Sequence, residues 1–163
     1  MTASRIRIVV GACGHPHSDA ALRYAADQAT RRAGEVLAVH VRRRWSPPLL
    51  SQYDLSSLAL QVSDAWEELA FDQVRSALGD GTAAWRYTTG QGDVAGCLAA
   101  VARHVGAAAI VIGGRRTGLL ARTFSRSVAR CLSGSAIPVV AVSAPERPTG
   151  SPTSSGTAPS ASS

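Results

Sequence analysis

Five short apolar runs constrain what this chain can fold into. They are Arg5–Cys13, Glu35–Val41, Ala83–Thr88, Ala107–Ile112 and Ile137–Val142, and stretches with helical spacing separate them. Isoleucine and valine dominate most of these runs and glycines punctuate several ends, which is the pattern of strands. In Arg5–Cys13 the residues Ile6, Ile8, Val9 and Val10 are apolar on both faces, as in a strand covered on both sides. Such strands alternating with helices form a parallel sheet, because each parallel connection needs a long crossover. The expected fold is a single doubly wound α/β domain with a five-stranded parallel sheet, in the order 3-2-1-4-5, and four helices.

The helices follow from capping signals and apolar spacing. The first is expected to start with Ser18 as N-cap and Asp19 in the first turn, to bury Leu22, Ala25, Ala26 and Ala29, and to end at Gly34. Arg42–Ser56, with Pro47 and Pro48, reads as a long loop. Ser57–Leu78 places Leu58, Val62, Trp66, Leu69 and Val74 near one helical face, and Gly79 and Gly81 close it. Asp93 caps a third helix with Val94, Cys97, Leu98, Val101 and Val105 at helical spacing, and Phe124–Leu132 carries a short fourth. After Ser143 the residues are mostly proline, serine, threonine, glycine and alanine. We therefore expect a domain over residues 1–143 and a disordered tail over 144–163.

In such a sheet, ligands bind beyond the carboxyl ends of the strands. That edge takes Ala12–His15, the loop after Val41, Thr89–Gly92 and Gly113–Gly118. The stretch from Ala107 runs strand, glycine loop, helix, an order that can cradle a phosphate on backbone N–H groups. Its loop and helix nevertheless carry Arg115, Arg116, Arg122 and Arg126, where a cradle takes small residues.

Composition excludes several classes. With 45% apolar and 17% charged residues, most of the chain can build a folded core. All 17 basic residues are arginine and the net charge is +6. Guanidinium suits phosphate and carboxylate recognition. The arginines are dispersed, however, and aromatics make up only 5%, so no basic run interleaved with stacking residues marks a nucleic-acid partner. Cys13, Cys97 and Cys131 are odd in number, widely spaced and without a CxxC, which argues for a reducing compartment and against a disulfide framework or zinc site. No apolar run reaches membrane-spanning length, and a cytoplasmic, soluble protein is expected. His15, His17 and His104 have no metal-ligand spacing, and no metal is expected. Neither paired carboxylates, nor a Ser-His-Asp set, nor a GxGxxG or Walker pattern can be assembled, so the chain reads as non-enzymatic.

Several motifs together resemble the universal stress protein family across Arg5–Val142. The opening IRIVVGACGHPHSDAALRYAADQA, the second strand EVLAVHV, the segment GQGDVAGCLAAVARHVGAAAIVIGG and the ending SVARCLSGSAIPVVAV carry the likeness in the family's order. The resemblance implies a stress-response or regulatory module, commonly a homodimer through the last strand, here Ile137–Val142. In members that bind ATP, the glycine loop reads Gly, two residues, Gly, nine residues, then Gly followed by Ser or Thr. Laid from Gly113, that pattern puts Arg116 and Arg126 at glycine positions and Ser127 at the hydroxyl. The family aspartate that contacts the nucleotide falls on Cys13, while Val41 can still offer its backbone to an adenine. The positions toward a nucleotide are thus Ala12, Cys13, Val41, Gly113, Arg116, Arg126, Ser127 and Val128.

An arginine at a left-handed backbone position costs about 1–2 kcal/mol and fills space meant for phosphate. Guanidinium groups can also pair with phosphate oxygens, which opposes that loss. Since a thiol does not replace the carboxylate's hydrogen bonds, the expectation is a degenerate site with weak or no ATP binding. The alternative is an ATP-dependent switch whose arginines contact phosphates. The basic residues Arg42–Arg44, Arg115, Arg116, Arg122 and Arg126 form either an anion site or a solvated rim. Cys13 reads either as a redox-sensitive thiol beside a helix start or as an inert small residue, and His40 as a core or rim histidine.

Overall fold

The computed structural model describes residues 5–42, 56–114, 134 and 136–143. Strands β1 (Arg7–Gly11), β2 (Glu35–Arg42), β3 (Ala84–Gln91), β4 (Ala109–Gly114) and β5 (Val139–Ser143) alternate with helices α1 (Pro16–Arg31), α2 (Ser56–Leu78) and α3 (Val94–Val105). All pairings are parallel, and the strands lie in the order β3-β2-β1-β4-β5. This is the doubly wound sheet expected from the apolar runs. The fourth helix, expected over Phe124–Leu132, and the tail fall outside the described residues.

The strand period of two divides the core. Ile8 and Val10 point to one face and join Leu22, Ala25, Val74 and Leu78 of α1 and α2. Val9 points to the other face with Val39 and Ile110, against Leu98 and Ala102 of α3. Val9 and Val10 are both wholly buried, so the central strand is covered on both sides. Each large aliphatic side chain so buried contributes about 1.5–3 kcal/mol. On α1 the buried stripe is mostly alanine, with Ala21, Ala25 and Ala29 fully covered, and such short side chains let the helix approach the sheet closely.

Three local expectations are corrected. Ser18 is not the N-cap of α1: the helix starts at Pro16 after His15, because proline's fixed φ suits the first turn, and Ser18 lies buried inside that turn. Gly34 does not supply the left-handed turn that ends α1. Ala33 takes it at φ 49°, while Gly34 donates to Ala29 O at 2.7 Å and passes so near Ile6 O that a Cβ would lie 2.5 Å from it. On α2, Val74 packs inward as expected, but Val62, Trp66 and Leu69 of the same expected face are 44%, 40% and 53% exposed, and Ala70 and Leu78 join Val74 in the core instead. Spacing alone fits both stripes, and the smaller residues fit against α1 and the sheet. The Asp93 cap is as expected, with its side chain accepting from Gly96 N at 2.7 Å.

Candidate functional site

The carboxyl ends of β1, β2 and β4 meet at the middle of one sheet edge. β1 pairs Gly11 with Val39 and Val10 with Val111, and Ala12 and Cys13 follow directly on its end, while Val41 and Gly113 lie two residues past those partners on β2 and β4. Four of the expected site residues, Ala12, Cys13, Val41 and Gly113, thus share this edge. Arg116, Arg126, Ser127 and Val128 lie outside the described residues, as do Arg43, Arg44, Arg115 and Arg122.

Ala12 is buried, donates its N–H to Val39 O at 2.9 Å, and has its carbonyl 3.0 Å from His40 Nδ1. His40 is itself buried, so its ring is a core group that fixes the turn out of β1. The backbone alternates its hydrogen-bonding direction along a strand. Since Val39 O accepts from Ala12, and Arg42 O accepts from Gly92 N on the opposite side, the backbone groups of Val41 face the β1 side, past its last paired residue.

Cys13 is half-buried in a polar network at the start of α1. Its Sγ lies 3.4 Å from His17 Nε2 and 3.5 Å from Ser18 Oγ. The Ser18 hydroxyl has a single proton, and its shortest contact is to Gln73 Oε1 at 2.6 Å, with His15 O at 2.9 Å. Gln73 Nε2 in turn donates to His15 O at 2.8 Å, so this one amide of α2 ties down both ends of the first turn of α1. The ring of His15 stacks on that of His17 at 5.4 Å and tilts against Trp66 at 4.8 Å. Gln73 and Trp66 come from a helix more than fifty residues away in sequence, and only a signal for α2 lying beside α1 could have found them.

Gly113 has a packing reason of its own. A Cβ there would fall 2.2 Å from His17 O, so β4 leaves the sheet directly under the first turn of α1. Absence of a side chain is required by the protein backbone itself, whatever occupies the edge.

Arg42 does not belong to a free cationic rim. Its guanidinium pairs with Glu67 and Asp64 of α2, and these hydrogen bonds, chiefly that to Glu67, hold its pKa above the usual arginine value. Tyr87 lies beside the same carboxylate, where burial and then the negative charge of Glu67 push its phenol up to about 12. Arg7 and Arg86, by contrast, sit toward the opposite edge of the sheet, around Glu35. Among the described residues, no cluster of His, Cys, Asp or Glu could hold a metal ion, and no helix is long and apolar enough to cross a membrane.

The family model described as the universal stress protein family matches residues 5–143. The chain belongs to that family. Among solved structures, a universal stress family protein from Burkholderia pseudomallei is 22% identical with a TM-score of 0.63, over 83% of this chain and 94% of the other. UspA from Lactobacillus plantarum gives 17% and 0.65, covering 86% of this chain and 99% of its own. A universal stress protein from Archaeoglobus fulgidus in complex with dAMP gives 21% and 0.53, covering 85% and 97%. No curated protein sequence matches significantly. These identities support a common fold. In this universal stress protein a thiol, Cys13, stands just past the carboxyl end of β1, against His17 and Ser18 at the start of α1.

Proposed function

We propose that this universal stress protein is a non-enzymatic regulatory module of the cytoplasm, a homodimer through its last strand, with a degenerate nucleotide site that holds ATP weakly or not at all. The observation that carries this reading is the surroundings of Cys13. Its sulfur faces His17 and Ser18, and it offers no carboxylate to accept the hydroxyl hydrogen bonds of a ribose. Losing a charge-assisted hydrogen bond of that kind costs about 1.5–3 kcal/mol. The arginines at positions 116 and 126, where the ATP-binding pattern has glycine, add bulk.

A second reading is favoured by the direction of the Val41 backbone and by the relative that was determined with dAMP. On that reading the chain is an ATP-dependent switch whose loop arginines contact the phosphates.

One experiment separates the two. The purified protein is denatured, released nucleotide is assayed by chromatography, and ATP is then titrated calorimetrically into the wild type, Cys13→Asp, and Arg116→Gly with Arg126→Gly. We expect no stoichiometric nucleotide, and an affinity raised roughly tenfold by Cys13→Asp or by the glycine pair. Stoichiometric ATP in the wild type, with affinity lost in the glycine pair, would establish the switch instead.

A further inference from the structure

The edge of the sheet formed by β3 has features of a docking strand. Among the described residues β3 pairs only with β2, leaving its other side without a ladder partner. It contains no proline that would blunt such an edge. Gly92 N donates toward β2, so by alternation the N–H groups of Tyr87 and Thr89 point outward.

Its two faces differ in chemistry. Toward α3, Arg86 and Thr88 line a groove of about 630 Å³ floored by Leu37 and walled by Val101 and His104. Two guanidinium groups, Arg7 and Arg86, converge there on a single carboxylate, Glu35, which leaves one positive charge in excess, and Arg86 remains 75% exposed. On the other face Trp85 and Tyr87 are only partly buried against the core. A strand laid beside β3 therefore meets a cation on one face and aromatic rings on the other.

We propose that β3 captures an extended segment of another protein in which acidic and apolar residues alternate, the acidic ones facing Arg86 and the apolar ones facing Trp85 and Tyr87. Main-chain hydrogen bonds supply affinity in this mode, and alternate side chains supply specificity. The occupant is not a second copy of this chain. No two of its 11 acidic residues stand two positions apart, so it contains no such segment, and two-fold pairing centred on β3 near Arg86 would bring like charges together.

The probe is a capped peptide, as long as β3, that alternates valine and glutamate, with a control carrying lysine for glutamate. Mixed with the full chain, the glutamate peptide should bind and slow amide exchange at Tyr87 and Thr89. Arg86→Glu should weaken it roughly tenfold and favour the lysine peptide. Arg86→Gln, which keeps the fold even if the reversed charge beside Glu35 does not, should abolish the preference between the two. No binding, protection away from β3, equal binding of both peptides to the wild type, or concentration-dependent protection of β3 in the protein alone would each overturn the proposal.

Discussion

Single residues at the carboxyl ends of the strands serve the protein's own packing, whatever else lies there. Gly113 is the clearest case, because a Cβ would meet the carbonyl of His17, a backbone atom that cannot rotate away. Gly113→Ala should therefore destabilise the protein by about 1–3 kcal/mol, read as a lower midpoint in urea unfolding. An unchanged midpoint would mean that α1 moves freely over β4. Tyr87 gives a second test at this scale. Its folded pKa is about 12, above the ordinary value of 10, so the fold favours the neutral phenol. Its contribution to stability is full below pH 10 and is lost as the pH rises through 12. Ultraviolet titration should find Tyr87 ionising after the other tyrosines, and Tyr87→Phe should flatten the alkaline loss of stability. A phenol that titrates with the rest would remove the burial argument.

At the scale of elements, α1 and α2 act as one unit over the edge. Gln73 joins Ser18 and His15, and Trp66 meets the ring of His15, so the β1–α1 turn is held by a helix distant in sequence. The helix period made the existence of α2 legible, but not which of its stripes would face inward. The expected face held Val74, which is buried, but also the large Val62, Trp66 and Leu69, whereas the available depth beside α1 suits the smaller Ala70. The Asp93 cap was legible because a cap bonds within its own turn. At the far edge, β5 pairs with β4 alone among the described strands, consistent with the proposed dimer. Val140→Asp should then shift the protein toward monomer on size-exclusion chromatography with its circular dichroism retained. A dimer that survives the change would argue against the β5 interface.

For the whole molecule, Arg7, Arg42 and Arg86, among the described residues, gather in two separate regions of the sheet. Arg42 pairs with Asp64 and Glu67 at the carboxyl ends of the strands, while Arg7 and Arg86 gather around Glu35 toward the other ends. The two regions therefore differ in charge, with Arg42 matched by two carboxylates at one and two guanidinium groups sharing one carboxylate at the other. By itself the sequence determined the strands and their parallel sheet, which follow from local period and from the long crossovers between strands, and the family, which its motifs carry. Only the tertiary structure decided that Gly113 is dictated by His17, that Cys13 sits against His17 and Ser18, and that Arg42 is paired. Those outcomes depend on which distant surfaces come within a few ångströms of each other, and neither propensity nor spacing records that distance.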